Sequence, residues 1–258
     1  EERVTPWLDA HARLMEAMVV RQSRDERTRR PAAPPSAGPD RSQIKVRRGY
    51  RSMDNLLEGL ASPIVLAGDD THAYRDPTAV YHEGVLHLYS TLVRTEEEAK
   101  LYWYTIHTSS ADLQRWSAPT PITPRGQHLN YSSPGSVVRV GNEWVMCLQT
   151  YPIPGHAIDR PLCWANNNAR LFLMRSSDLV HWDEPELLKV KGVGVAVEDM
   201  GRMIDPYLVE DKDESGKWWC FYKQNGASYS CSHDLNAWTY SGRTDSGENV
   251  CVLIEDDE

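Results

Sequence analysis

Short stretches in which apolar and polar residues alternate recur along the chain, and Val, Tyr and Trp are frequent in them. Alternation with a period of two is typical of strands that bury one face, and Gly or Asn between two such stretches favours a hairpin turn. The pattern predicts three β-hairpins and therefore an all-β body. The paired stretches are Thr78–Tyr81 with Val85–Ser90, Gly135–Val140 with Glu143–Thr150, and Tyr207–Val209 with Lys217–Lys223.

A seven-residue motif, Ser-x-Asp-Leu-x-x-Trp, follows each predicted hairpin. Its copies occupy Ser110–Trp116, Ser176–Trp182 and Ser232–Trp238, and the intervals between their aspartates are 66 and 56 residues. Such intervals are somewhat above the periods of β-propeller blades and far above those of helical repeats. Each unit is therefore interpreted as one propeller blade, a meander of about four short strands. A fourth unit opens near Asn249–Ile254, and the chain is expected to end in it.

The repeated motif is interpreted as scaffold. Its Asp and Ser side chains can bond nearby backbone groups in a turn, and its Leu and Trp can fill the space between neighbouring blades. Three equivalent copies of one aspartate, Asp112, Asp178 and Asp234, cannot all lie in one active site. Candidate chemistry is therefore expected where the units differ.

The first 45 residues differ from the rest in pattern. Apolar residues between Pro6 and about Arg29 have helical spacing, and Pro31–Pro39 has the composition of a linker. The expected organisation is a helical arm with a Pro-rich linker at 1–45 and a propeller domain at 46–258. The arm is expected to dock on its own propeller or to form a homodimer, and a partly disordered tail is the alternative.

The N-terminal region and the propeller domain also differ in net charge, and this limits the classes of ligand that the protein is expected to bind. Residues 1–51 carry 12 Lys and Arg against 7 Asp and Glu, which leaves 16 against 30 in the remainder. An acidic body disfavours nucleic acid and is compatible with a neutral, hydroxyl-rich ligand such as a carbohydrate. The arm lacks the roughly 20 continuous apolar residues of a membrane span. The sequence assigns no compartment: it has no secretory signal pattern, and its start at Glu1 allows for a removed leader.

Each unit has an X-Pro dipeptide at the head of its first strand, here called a residue-proline step, and the units differ in the residue before the proline. The step carries Asp76 in the first unit, Ser133 in the second and Asp205 in the third. The first strands of propeller blades line the central axis, so equivalent positions converge on one funnel. Because proline disfavours helical geometry in the residue before it, we expect an extended backbone at each acid. Glu248 precedes the strand of the fourth unit and is expected to be a third acid in this funnel.

Two stretches around these steps carry a family resemblance. They are Tyr74–Val80 with Leu86–Tyr89 in the first unit, and Ile204–Asp211 with Gly216–Tyr222 in the third. Together with the repeats they resemble glycoside hydrolase family 43 and related five-bladed β-propeller glycosidases, over roughly residue 62 to the C-terminus. The resemblance implies an enzyme that cleaves glycosidic bonds in oligo- or polysaccharides with inversion and without an organic cofactor. Some members hold a structural cation near the axis, but no metal-ligand spacing in this sequence assigns one.

The resemblance also implies catalytic roles. Asp76 corresponds to the general base that activates a water, Asp205 to the residue that tunes and orients the acid, and Glu248 to the general acid. The family usually has Pro or Gly-Pro after this acid, whereas Asn-Val follows it here. Glu198 is the substitute candidate for the acid.

Further residues are predicted to contact the substrate. Arg75 and Arg202 flank the two acidic steps, and Ser133 occupies the step between them. The longest insertion within a unit is expected to form the substrate rim, with His156 and Trp164 as its contacts.

Two alternatives keep the same fold. A retaining propeller of the fructan-cleaving type would use one Asp as nucleophile, but the Trp-Met-Asn-Asp-Pro-Asn type of first motif is not matched at Ala73–Thr78. A non-catalytic carbohydrate-binding or assembly propeller would not need all three acids. Loss of turnover on mutation of Asp76 would separate the enzyme from the binding protein.

Overall fold

A computed structural model describes residues 65–151, 154–157, 168–245, 247 and 249–252. These residues all belong to one compact unit. The predicted arm and linker, Trp164 and Glu248 lie outside the described residues. Within the described ranges, no helix is long and apolar enough to cross a bilayer, and the helical elements are two short 3-10 turns, Glu97–Ala99 and Val197–Met200.

The described strands form three antiparallel sheets, and each sheet is one blade. The first blade contains β1 His72–His82, β2 Val85–Thr95, β3 Lys100–Ser110 and β4 Thr120–Pro121. The second contains β5 Asn130–Ser132, β6 Val137–Val140, β7 Glu143–Tyr151, β9 Arg170–Ser176 and β10 Glu186–Leu187, while β8 His156–Ala157 pairs with β3 of the first blade. The third contains β11 Ile204–Glu210, β12 Trp218–Lys223, β13 Ala227–Ser232 and β14 Thr239–Thr244. The prediction of all-β units with about four strands each is confirmed.

The first hairpin shows how local sequence sets these strands. His82 pairs with Val85, and the two residues between them, Glu83 and Gly84, have φ values of +49° and +85°. Two-residue hairpin loops need positive φ at their central positions, and glycine adopts it without steric cost. The turn therefore closes where the sequence predicted it.

Apolar packing joins the second and third blades. Val145, Cys147 and Leu171 of the second blade form one buried cluster with Leu208 and Tyr222 of the third. The backbones come very close beside this cluster, because an added Cβ on Gly135 would lie 1.9 Å from the Pro206 carbonyl oxygen. Glycine is therefore required where the first strands of the two blades pack.

The repeated motif forms a tight turn after the third strand of each blade. In the second copy, Ser176 Oγ accepts the Leu179 N–H at 2.9 Å, and Asp178 Oδ1 accepts two further N–H groups, from Val180 and His181. The corresponding aspartates accept the same pair of N–H groups in the other two copies. Every motif leucine is buried at positive φ: Leu113, Leu179 and Leu235. The motif is scaffold, as predicted.

Candidate functional site

The three residue-proline steps share one backbone conformation. Asp76, Ser133 and Asp205 have φ values of +52°, +43° and +52°. In the first and third blades the step interrupts the pairing of the first strand with the second. The register shifts between Arg75 and Thr78 in β1 and between Ile204 and Tyr207 in β11, and each shift marks a β-bulge. The expectation of an extended backbone at these positions is wrong. Proline disfavours the helical region but does not prevent the left-handed φ that a bulge can require, and Asp is among the residues that tolerate it.

Asp76 is held by three donors that reach the same carboxylate oxygen. Arg75 Nε donates to Asp76 Oδ2 at 2.7 Å, Ser133 Oγ at 2.9 Å and Thr91 Oγ1 at 3.3 Å. The Asp76 side chain is 19% exposed and that of Arg75 is 31% exposed. Among the described residues, Oδ1 of Asp76 receives no donor. The carboxylate is thus fixed at one oxygen, while the other remains available to a proton or a water.

Ser133 occupies the second step and belongs to the second blade, but it bonds to the first. Its buried backbone N–H donates to Thr91 Oγ1 at 2.7 Å, and its hydroxyl donates to Asp76. Ser133 therefore contributes a neutral donor at the position where the other two blades carry a carboxylate. Its predicted contact with substrate stays a prediction.

Asp205 is tethered in the same way as Ser133. Its backbone N–H donates to Gln149 Oε1 at 2.6 Å. Thr91 and Gln149 occupy equivalent places, since Thr91 pairs with Arg75 and Gln149 pairs with Ser132, each opposite the residue that precedes a step. The second strand of one blade thus holds the step of the next blade.

Aromatic and cationic side chains connect the two acidic steps. The Arg75 guanidinium lies over the buried Trp103 ring at 5.5 Å, and Trp103 packs edge-to-face against Tyr151 at 5.6 Å. Arg202 Nη2 lies 3.5 Å from the Tyr151 hydroxyl. Burial raises the pKa of Tyr151, the Asp205 carboxylate raises it further, and the guanidinium groups of Arg202 and Arg75 oppose this. One continuous cluster therefore extends from the first step to the third.

The remaining predicted residues have different outcomes. Glu248 and Trp164 lie outside the described residues, so their roles stay predictions. His156 lies in the short strand β8, which pairs with β3 at Leu101 and thereby places this part of the insertion on the edge of the first blade. Glu198 is exposed in the 3-10 turn that precedes β11.

Thr91, Gln149 and Tyr151 are the site residues that sequence reasoning missed. None of them lies in a recognisable motif, and their common feature is position in a second strand next to a step. A register assignment of the hairpins would have been needed to find them. Strand patterns show which residues alternate, but they do not show which residues face each other.

Two other features lie apart from this cluster. A pocket between β10 and the turn after β13 is lined by Leu173, Asp183, Glu186 and Asn236, among others, and no step residue lines it. Among the described residues, no group of three His, Cys, Asp or Glu side chains is arranged to hold a metal ion. The steps remain the candidate site because, in the part of the chain that the structure describes, carboxylates there meet cationic, hydroxyl and aromatic groups contributed by two blades.

Comparison with known proteins supports the fold. No protein-family model matches the chain, and no curated protein matches it. Solved structures do match. A protein from Bacteroides thetaiotaomicron, classed provisionally as a glycosidase, has a TM-score of 0.51 and 14% identity over 69% of this chain and 57% of its own. A family 117 glycoside hydrolase from Zobellia galactanivorans has a TM-score of 0.50 and 15% identity over 67% and 57%.

A third similar structure has a bound sugar. The family 93 α-L-arabinofuranosidase of Fusarium graminearum, in complex with arabinobiose, has a TM-score of 0.50 and 14% identity over 69% of this chain and 48% of its own. The chain thus spans about half the length of the solved structures that it matches. These similarities show an all-β fold of the five-bladed propeller type, shared with glycoside hydrolases. They do not single out family 43.

Proposed function

We propose that this chain carries the active-site blades of an inverting glycoside hydrolase of the family 43 type, acting on oligo- or polysaccharides. In this proposal Asp76 is the general base that deprotonates the attacking water. Asp205 orients the general acid and tunes its pKa, and Glu248 is that acid. Inversion requires the base and the acid to lie about 6.5–9.5 Å apart, with room for water between them.

The geometry at Asp76 is the observation that carries the proposal. A general base must be held in place, yet it must keep one oxygen able to accept a proton. The Arg75, Ser133 and Thr91 donors all reach Oδ2, which leaves Oδ1 for the water.

The serine at the second step supports the division of roles. A third carboxylate there would repel Asp76 and favour protonation of one of the pair. Ser133 instead donates a hydrogen bond to Asp76 at 2.9 Å, so the first and second steps together hold one carboxylate. The proposal assigns the two other acids, Asp205 and Glu248, to the leaving-group side of the reaction.

The reaction itself tests the proposal. The protein is incubated with a panel of aryl glycosides and oligosaccharides, and the anomeric configuration of the first product is followed by NMR. We expect turnover with inversion, and a loss of roughly 10²- to 10⁴-fold in kcat/KM for Asp76→Asn, the usual contribution of a general base.

The matched control is Asp234→Asn, the same chemical change in a scaffold turn. Its Oδ1 accepts two backbone N–H groups, which an asparagine oxygen can also accept, so activity should be unchanged. Activity that survives Asp76→Asn would overturn the mechanism. Sugar binding without turnover of any substrate would indicate a carbohydrate-binding propeller, and retention of configuration would indicate the fructan-cleaving type.

A further inference from the structure

Gln149 is a buried residue whose side-chain amide is bonded at one end only. The residue is 2% exposed, and its Oε1 accepts the Asp205 N–H at 2.6 Å. Because only the oxygen of an amide side chain can accept an N–H, this bond fixes which end of the amide faces Asp205. Among the described residues, the Nε2 group has no hydrogen-bond partner. Gln149 therefore carries two N–H donors for which this part of the chain supplies no acceptor.

Strand β7 places this amide beside the third step. Cys147, Gln149 and Tyr151 are two residues apart along β7, so their side chains lie on one face of the sheet. The Cys147 thiol donates to the Pro206 carbonyl oxygen at 3.4 Å, and the nearby Asp205 carboxylate raises the pKa of Tyr151. The face therefore runs along the third step, and Gln149 lies on it between the packed interior at Cys147 and the cluster of aromatic and cationic side chains at Tyr151.

Thr91 holds the equivalent place in the first blade, and it makes two bonds there. Its Oγ1 accepts the Ser133 N–H at 2.7 Å and donates to Asp76, the step of its own blade, at 3.3 Å. Gln149 repeats the first bond, since it accepts the N–H of the step that follows. The second bond has no counterpart among the described residues, because the hydroxyl of Ser133, the step of the second blade, is directed to Asp76. The donors of Gln149 thus differ from that of Thr91 in having no step side chain as acceptor.

A donor in this position favours a ligand that supplies a neutral oxygen. A buried polar group without a partner destabilises a protein, so such groups normally bond to protein, water or ligand. Gln149 Nε2 is not one of the fully enclosed unpaired atoms, so a small molecule can reach it. A hydroxyl group offers the lone pair that the amide needs. A carboxylate or phosphate would also accept, but its charge would be repelled by Asp76 and Asp205.

We propose that Gln149 is a specificity-determining residue, and that its Nε2 donates a hydrogen bond to a hydroxyl group of the sugar that reacts at Asp76. The inference rests on the proposed function for the identity of the ligand as a sugar. The two ends of the amide then have separate roles, since Oε1 holds the third step and Nε2 recognises the substrate. A sugar that lacks the recognised hydroxyl would leave the buried donor unpaired, so it should react more slowly.

Deoxy substrates test the contact in two variants. Gln149→Met removes both ends of the amide, whereas Gln149→Thr installs the residue of the first blade, whose Oγ1 can still accept the Asp205 N–H. The kcat/KM is measured for the aryl glycoside that the native protein cleaves fastest and for analogues that each lack one hydroxyl. At one hydroxyl position, we expect the ratio of kcat/KM between parent and analogue to be roughly 10- to 100-fold smaller in both variants than in the native protein.

The ratio separates recognition of the sugar from tethering of the step. Loss of the bond to the Asp205 N–H lowers activity on parent and analogues alike, so its effect cancels in the ratio. Thr91→Val is the matched control, because it removes the equivalent bond to Ser133 at a residue whose own donor is directed to Asp76. It should lower kcat/KM on every substrate by a similar factor and leave all ratios unchanged. Unchanged ratios at every position in the Gln149 variants would overturn the proposal and indicate that Nε2 bonds only water.

Calorimetry tests the contact in a protein that shows no turnover. Binding of the panel oligosaccharides and of their deoxy analogues is compared in the native protein and in Gln149→Thr. Weaker binding of one analogue by the native protein, with no such difference in the variant, would support the contact even if the proposed reaction had failed. Turnover with unchanged ratios would leave the reaction standing and overturn the contact. A native protein that neither cleaves nor binds any of the oligosaccharides would overturn both.

Discussion

Two kinds of site recur three times in this protein, the Ser-x-Asp-Leu-x-x-Trp turns and the residue-proline steps, and they are built differently. Both contain a non-glycine residue at positive φ, such as Leu179 in a turn and Asp76 at a step. In a turn, the Asp side chain satisfies backbone groups within three residues of itself. Each step instead has at least one bond to a neighbouring blade, as when the Ser133 N–H donates to Thr91 across the first and second blades.

The difference explains why one sequence pattern is constant and the other varies. A turn whose own Ser and Asp side chains accept its backbone N–H groups needs the same side chains in every blade, so its motif repeats. The second and third steps are held through their backbone N–H by the preceding blade, so their side chains can differ, as Ser133 and Asp205 do. Repetition therefore indicates scaffold here, and the proposed function lies where the side chain varies at a fixed backbone position.

The largest expected effect concerns the dependence of the steps on their neighbours. Gly135→Ala would place a Cβ 1.9 Å from the Pro206 carbonyl oxygen and 2.7 Å from Cys147 Sγ. Because backbone atoms cannot move aside cheaply, we expect a loss of roughly 3 kcal/mol in the free energy of unfolding, at the upper end for overpacking. Urea denaturation measures the change.

Gly126→Ala is the matched control for this prediction. No atom lies within 4 Å of its added Cβ, so the free energy of unfolding should change little. A Gly135→Ala protein as stable as the native one would show that the first strands of the second and third blades do not depend on each other.

The second prediction concerns a buried histidine pair that is linked through Tyr89 to the second copy of the repeated turn. His87 Nδ1 and His107 Nε2 lie 3.1 Å apart, and Tyr89, which packs on His107, donates to the Leu179 carbonyl. Burial lowers the pKa of His107 to about 4 from 6.5, helped by His87. The unfolded chain therefore binds a proton between pH 6.5 and 4 that the folded protein does not.

Because the unfolded chain binds the extra proton, the free energy of unfolding decreases as the pH falls. The contribution of neutral His107 is fully present above pH 6.5 and is lost as the pH falls toward 4, by on the order of 2 kcal/mol. His107→Asn should flatten this part of the curve of unfolding free energy against pH, whereas His233→Asn, at an exposed histidine, should not. An unchanged slope in His107→Asn would contradict the prediction.

The smallest expected effects come from a serine-to-alanine substitution made once at a step and once in a turn. Ser133→Ala removes a donor to Asp76, and we expect a roughly tenfold fall in kcat/KM, typical for a hydrogen bond to a charged group, with little change in stability. Ser176→Ala removes the acceptor of the Leu179 N–H, and we expect a loss of about 1 kcal/mol in stability with unchanged kcat. Steady-state kinetics and urea denaturation measure the two.

The comparison between turns and steps fails if these two effects are exchanged. A Ser133→Ala protein that loses stability but not activity would make the step a scaffold. A Ser176→Ala protein that loses activity at full stability would place function in the turn.

The predictable part of the site was the part encoded locally. Asp76 and Asp205 could be assigned to equivalent steps because the step, the hairpin that follows it and the repeated turn lie at regular distances along the chain. The conformation of the steps was predicted wrongly, because proline's effect on its predecessor was considered without the bulge that pairing with the second strand creates. Gln149 was missed for a related reason, since its importance comes from a bond to a residue 56 positions away.

The sequence by itself determined the all-β units, their turns and the alternation of Asp, Ser and Asp at the steps. Period-two patterning, turn chemistry and proline positions act over a few residues, so they can be read directly from the chain. Only the tertiary structure decided that Ser133 donates to Asp76, and that Thr91 and Gln149 tether the steps of the blades that follow them. Those relations depend on strand register and on the packing of one blade against the next, which bring together residues that are far apart in the chain.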